Sequence, residues 1–264
     1  MIKLIVTDID GTFLGLKIQM PERAFEVIEK LIKNNVLFVA ASGRSYPAIA
    51  ELFTPFLEDI AIIAENGGII EYKQQEISLN ILPEDVLADM IEFLDKNNTH
   101  PIVNSKQTSY IFPRIHAHYG RIEHYCANMK TITGLCQITQ DVVSISIFVD
   151  DQKVDEVYAK LTKRWGDSVS IVITGTNWID VVPRGINKGE ALAKLMNELN
   201  IKSSEVMAFG DYDNDIEMLK LASESYAMPH ATEGVKKVAK YTCTPEDIVS
   251  IMENIVDKNS HIER

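Results

Sequence analysis

Two short acidic clusters hold the residues best suited to chemistry. Asp8 and Asp10 lie in DIDGT, directly after the apolar run LIVT, and Asp211 and Asp215 lie in GDYDND, directly after VMAF. Carboxylates this close repel one another, and a hard dication such as Mg²⁺ relieves that repulsion while keeping room for water and substrate phosphate. A turn would explain one Asp-Gly pair. It does not explain a second acidic cluster in an equivalent position. Asp211, Asp213 and Asp215 copy the first three positions of an EF-hand loop, but Ile216 stands where the turn glycine belongs and Ala222 where the bidentate glutamate belongs, which excludes that calcium site. Helix capping accounts for Asp213 or Asn214 and leaves Asp211 without a structural role.

Two further segments would complete a phosphate site. Ser42-Gly43-Arg44 follows the apolar run VLFVAA, so a hydroxyl and an open backbone N–H fall where phosphate oxygens would bind. Lys188 opens a helical pattern in INKGEAL, a position where the helix dipole prefers an acid, and a solvated surface lysine is the plainer alternative.

These segments need a frame that brings them together. The first third alternates apolar strands (before Thr7, at 36–41 and at 60–63) with helical stripes, one of which runs through Ala24, Val27, Ile28, Leu31 and Ile32 from about Pro21. The same texture returns after Asn187, with the stripe Leu192, Leu195, Met196 and Leu199, the strand at 205–210 and a last helix from about Pro245. Strands this apolar, separated by helices, form a parallel sheet covered on both faces, and open α/β sheets bind ligands at the carboxyl edge of their strands. Between the two runs the pattern changes. Helices at 83–97 and 152–165 flank VVSISIFV at 142–149, whose alternation predicts a half-exposed antiparallel strand, and two more strands follow near 169–173 and 178–182. The expected fold is α/β: a core of 1–81 and 184–264 with an α+β insert at 82–183.

Composition narrows the partners. The 264 residues carry 26 Lys and Arg against 38 Asp and Glu, a net charge of −12, with 46% hydrophobic residues. That suits a folded protein and disfavours nucleic acid and anionic membrane as partners. Cys126, Cys136 and Cys243 show no CxxC spacing, and no run approaches the ~18 apolar residues of a membrane span. With no signal-peptide core at its start, the chain is expected to be cytoplasmic, a monomer or weak homo-oligomer.

The four segments, in this order, resemble the haloacid dehalogenase (HAD) superfamily, and specifically its Cof-type phosphatases: DIDGT at Asp8–Thr12, Ser42-Gly43-Arg44, Lys188, and GDYDND from Gly210 to Asp215. The likeness spans the whole chain. VTDIDGTFL, ASGR and AENGG are most similar to the sugar-phosphatase branch. The resemblance implies a Rossmann-like core with a C2-type cap, Asp8 as nucleophile forming an aspartyl-phosphate, and Asp10 as acid and then base. It implies Mg²⁺ held by the Asp8 and Asp211 side chains and the Asp10 carbonyl, with Asp215 a ligand or an orienting group. Ser42, Gly43, Lys188 and Asn214 would hold the phosphoryl oxygens. Asp10 separates phosphate chemistry from carbon–halogen cleavage, which lacks an acid at that position.

The expected substrate is a small phosphate ester: sugar phosphates first, then flavin mononucleotide or pyridoxal phosphate. A phospho-acceptor signalling module is the alternative from a different class. Its acidic pair and acceptor would sit on different strands, in a chain about half as long, and Asp10 would have no function there. The insert says less. His100, His116, His118 and His124 are dispersed among Tyr, Arg and Glu, which favours a solvated face over a metal site. Asn177, Trp178 or Arg184 could face the substrate, but Trp178 suits a buried anchor at least as well and Asn66 a tight turn, so none of the four is assigned to the site.

Overall fold

The computed structural model describes residues 1–97, 99–150 and 153–262. Among these, the strands in chain order are β1 Leu4–Asp8, β2 Leu37–Ala41, β3 Ala61–Ala64, β4 Ile69–Tyr72, β5 Gln75–Leu79, β6 His100–Ser105, β7 Ser109–Ile111, β8 Met129–Thr131, β9 Val142–Phe148, β10 Val169–Gly175, β11 Trp178–Pro183, β12 Val206–Gly210, β13 Glu224–Ala227 and β14 Tyr241–Thr242. They form two sheets, ordered β14-β13-β12-β1-β2-β3-β4-β5 and β10-β11-β9-β6-β7-β8.

The first sheet is parallel from β14 to β3 and ends in an antiparallel hairpin, β4–β5, that the sequence pattern did not reveal. β1 lies between β2 and β12, with Leu4 level with Leu37 and Val206. Every residue of β1, β3 and β12 is buried, which is why these strands read as unbroken apolar runs. Helices Ala24–Lys33 and Lys188–Glu198 bury Val27, Ile28 and Leu31, and Leu192, Leu195 and Met196, against this sheet. The first helix starts at Ala24 rather than near Pro21, because Arg23 takes a left-handed conformation (φ +63°) that cannot begin a helical turn.

The second sheet is antiparallel except for the pair β7–β8. Helices Glu84–Lys96 and Val154–Trp165 cover one face, packing Met90, Leu94, Leu161 and Trp165 on Val103, Ile145, Ile147, Ile179 and Val181. β9 departs from expectation, because all seven of its residues are buried. Ser144 and Ser146 point away from the helices into a polar seam against the first sheet, so the alternation marks a strand buried between an apolar layer and a polar one. The His-rich stretch is a 3₁₀ turn, Pro113–His118, and one helical turn, Tyr119–Ile122.

Candidate active site

The nucleophile candidate stands where β1 ends. Asp8 is its last residue, and the chain then turns through Ile9–Phe13, closed by the Leu14 N–H donating to the Ile9 carbonyl at 2.9 Å. Gly11 has φ +78°, and a Cβ there would lie 2.4 Å from Asp211 Oδ2. A side chain at Gly11 would therefore collide with the second acidic cluster. Thr12 Oγ1 donates to Asp211 Oδ1 at 2.8 Å, so the two clusters meet through DIDGT itself.

Lys188 is the first residue of its helix, capped by the Asn187 side chain, and its side chain is 1% exposed. Its Nζ donates to Asp8 Oδ1 at 2.6 Å and to Asp215 Oδ1 at 2.7 Å. Burial pushes the amine down, and the two carboxylates more than reverse it, so Lys188 stays a cation. The solvated-lysine alternative fails. Asp215 is fully buried and saturated, its Oδ2 accepting the backbone N–H of Asp211 (2.9 Å) and of Tyr212 (3.1 Å).

One lysine does not balance this cluster. Burial, followed by repulsion from Asp215, raises Asp211 to about 6. Burial likewise drives Asp8 well above its usual range, against the pull of Lys188. Asp8, Asp211 and Asp215 each offer an oxygen within 4.8 Å of the others, and Asp8 Oδ2 is buried without a partner. An orphaned carboxylate oxygen among oxygen donors fits a hard dication such as Mg²⁺.

Ser42, Gly43 and Arg44 follow β2 and reach the same edge. Ser42 Oγ accepts from the Arg44 N–H at 3.1 Å. A Cβ on Gly43 would lie 3.0 Å from both Asn66 Nδ2 and Asp180 Oδ2. Asn214 Nδ2 donates to Asn66 Oδ1 (2.8 Å), and Asn66 Nδ2 donates to Asp180 Oδ2 (2.7 Å), a relay from the second acidic cluster to β11. Asn66 thus does more than shape a turn. Arg44 grips both oxygens of Asp10 at 2.7 and 2.5 Å.

Asp8, Asp10, Ser42, Gly43, Asp211 and Asn214 line one cleft of about 450 Å³ between the two sheets, a volume suited to a small molecule. Lys188 and Asp215 are buried beside them. The opposite wall is aromatic. Trp178 packs on Tyr125 and Phe148, both at 5.3 Å between ring centroids, with Arg121, His124 and Asn177 around them. Asn177 Nδ2 is held by the Val149 carbonyl, and Arg184 turns away to the Asp167 carbonyl.

Sequence reasoning left Asp180, Asn66, Glu65 and Tyr125 unassigned. Glu65, at φ +51°, is buried beside the cleft, its Oε2 accepting from Ser144 (2.6 Å) and Asn104 (3.3 Å). Burial raises it to about 8, opposed by the Ser144 hydrogen bond and helped by Asp180. The AENGG segment and the serines of β9 were the available signals.

The model of the haloacid dehalogenase-like hydrolases matches residues 5–255. A relative from Escherichia coli K12, 5-amino-6-(5-phospho-D-ribitylamino)uracil phosphatase YbjI, is 29% identical over 97% of this chain and 96% of its own. A haloacid dehalogenase-like hydrolase from Bacteroides thetaiotaomicron superposes with a TM-score of 0.87 at 26% identity, over 97% of this chain and all of the other. The subclass IIB sugar phosphatase BT4131 shares the fold, with a TM-score of 0.80 at 23% identity over 96% of this chain and 98% of its own.

Proposed function

This chain belongs to the haloacid dehalogenase-like hydrolases and is a phosphoric monoester hydrolase, and on that premise we propose that it is a Mg²⁺-dependent phosphatase of small phosphorylated metabolites working through an aspartyl-phosphate on Asp8. The observation that carries this reading is the Asp8 carboxylate on the cleft, one oxygen held by Lys188 and the other without a partner.

One oxygen of the Asp8 carboxylate forms the new bond to phosphorus while the ester P–O bond breaks, and Asp10 delivers the proton to the departing oxygen. In the second displacement Asp10 takes the proton of the attacking water, and Asp8 is released with inorganic phosphate. Asp8 and Asp211 would hold Mg²⁺, with the Asp10 carbonyl, while the saturated Asp215 orients Lys188 and the loop of Asp211. When bound, the cation supplies positive charge that offsets the phosphoryl oxygens and the nucleophile's own repulsion of an anion. Ser42, the Gly43 N–H, Lys188 and Asn214 hold the phosphoryl group. The core of 1–81 and 184–264 supplies these residues, and the insert of 82–183 acts as a cap that supplies the leaving-group wall. The site of action is the cytoplasm.

Sugar phosphates suit the cleft. The aromatic wall of Tyr125, Phe148 and Trp178 favours a narrower class, phosphorylated sugars or polyols that also carry a planar ring. The name of the Escherichia coli relative, a phosphoribitylamino-uracil phosphatase, supports the same class.

The test is phosphate release from sugar phosphates, flavin mononucleotide, pyridoxal phosphate and a phosphoribityl heterocycle, with Mg²⁺ or chelator, for wild type and Asp8→Asn. Metal-dependent turnover that falls at least about 10³-fold in Asp8→Asn is expected, the scale on which losing a covalent nucleophile acts. A stable aspartyl-phosphate without turnover would overturn the hydrolase reading.

A further inference from the structure

Behind the aromatic wall lies a group of ligating side chains that the proposed reaction does not use. His100 opens β6, Asp150 follows β9, and His118 ends the turn Pro113–His118. His100 Nε2 is 2.9 Å, and His118 Nε2 3.3 Å, from the same Asp150 Oδ2. All three ligand atoms lie within 4.8 Å of one another, and the imidazole rings are 4.5 Å apart between centroids. The His100 side chain is 7% exposed, and its Nδ1 is buried without a partner. Four ligands at about 2.0–2.1 Å from a tetrahedral zinc ion stand about 3.3 Å apart, close to the two separations from Asp150 Oδ2. A hydrogen-bonded His–Asp pair would explain one imidazole. It leaves unexplained why two imidazole nitrogens from separate elements converge on one carboxylate oxygen.

We propose that His100, His118 and Asp150 bind a first-row transition-metal dication of the zinc type, at a place distinct from the Asp8–Asp211 site. Two imidazoles and a carboxylate suit zinc, cobalt or nickel and are a poor set for Mg²⁺, which prefers oxygen. Such an ion ties the segment after His118, which brings Arg121, His124 and Tyr125 to the cleft, to the ends of β6 and β9. Phe148 transmits the tie, packing on His118 at 4.9 Å and on His100 at 6.0 Å while lining the cleft. The ion therefore organises the leaving-group wall and takes no part in phosphoryl transfer.

The test uses the full chain, stripped with chelator, dialysed into millimolar Mg²⁺ and titrated with Co²⁺ and then Zn²⁺. One equivalent of Co²⁺ is expected, with visible absorption bands of a low-coordinate, imidazole-bound ion that Zn²⁺ displaces. His118→Gln and Asp150→Asn should each weaken binding about 10²-fold or more, whereas Asp211→Asn should retain the equivalent. Imidazole NMR of the wild type supplies a readout that does not depend on variants folding: Zn²⁺ should shift the resonances of two histidines, and those two should be the ones lost in His100→Gln and His118→Gln. No Co²⁺ binding at tens of micromolar, unchanged binding in His118→Gln, or loss in Asp211→Asn would overturn the proposal.

Discussion

Arg44 holds both carboxylate oxygens of Asp10 in a two-pronged contact, and its guanidinium lies 5.4 Å from the centre of the Tyr125 ring. Asp10 of the first motif is thereby held by the second motif, and the second motif rests in turn on Tyr125. The arginine side chain is 3% exposed, so little water competes for the contact.

Replacing Arg44 by lysine keeps the charge and loses the fork. Arg44→Lys should lower kcat about 10²-fold, the scale of a small misplacement of a reacting group, with a smaller change in KM. Steady-state kinetics on the best substrate of the panel checks this. An unchanged kcat would mean that Asp10 needs no such holder.

Lys188→Met removes the cation between Asp8 and Asp215 and leaves buried carboxylates facing one another. The expected cost is about 3–5 kcal/mol of stability, as for other broken buried ion pairs, together with loss of activity. Urea denaturation with and without Mg²⁺ is the measurement. Added Mg²⁺ should restore more stability to the variant than it gives the wild type, because it returns positive charge to the same carboxylates.

Glu65 supplies a pH dependence whose sign is fixed. Its folded-state value, about 8, exceeds its ordinary value of 4.5, so the folded state binds the extra proton. Its stabilising contribution is complete below about pH 4.5, falls by about 1.4 kcal/mol per pH unit as pH rises, and levels off above about pH 8. Wild type minus Glu65→Gln stability, measured by denaturation between pH 5.5 and 9, should follow that profile. A flat difference would show that the carboxyl ionises freely in the folded protein.

Trp178→Ala opens the aromatic wall. KM for a ring-bearing phosphate should rise about tenfold, the scale of one lost aromatic pair, while a plain sugar phosphate changes less. Equal changes for both would remove the argument for a ring.

The core strands and the acidic cluster were legible in the sequence because strict needs leave plain marks: doubly covered strands are uniformly apolar, and Asp8 and Asp211 repeat one placement, an acid directly after an apolar strand, while Lys188 opens a helix where the dipole prefers an acid. The polar seam was not legible. Ser144 and Ser146 look like solvent-facing residues, since alternation records only that two faces differ and not what lies on the second. Asn66 was masked by the turn propensity of AENGG, and Arg44 by its place in a phosphate-loop signature. His100, His118 and Asp150 are far apart in the chain, and only the pairing of β6 with β9 brings His100 level with Phe148 and near Asp150.

The neighbours of β1 set a schedule for synthesis. Its β2 side is paired early, but its other edge waits for β12, whose first residue is Val206. At about 5–20 residues per second, the ribosome leaves that edge open for about 10–40 s after Asp8 is made. The nascent chain therefore carries Asp8 without Lys188 or Asp211, on a strand with one open edge. The cluster that joins Asp8 to Lys188 and Asp215 is assembled only with the segment that closes the sheet, and a product truncated before it keeps an open edge that can pair with a second chain.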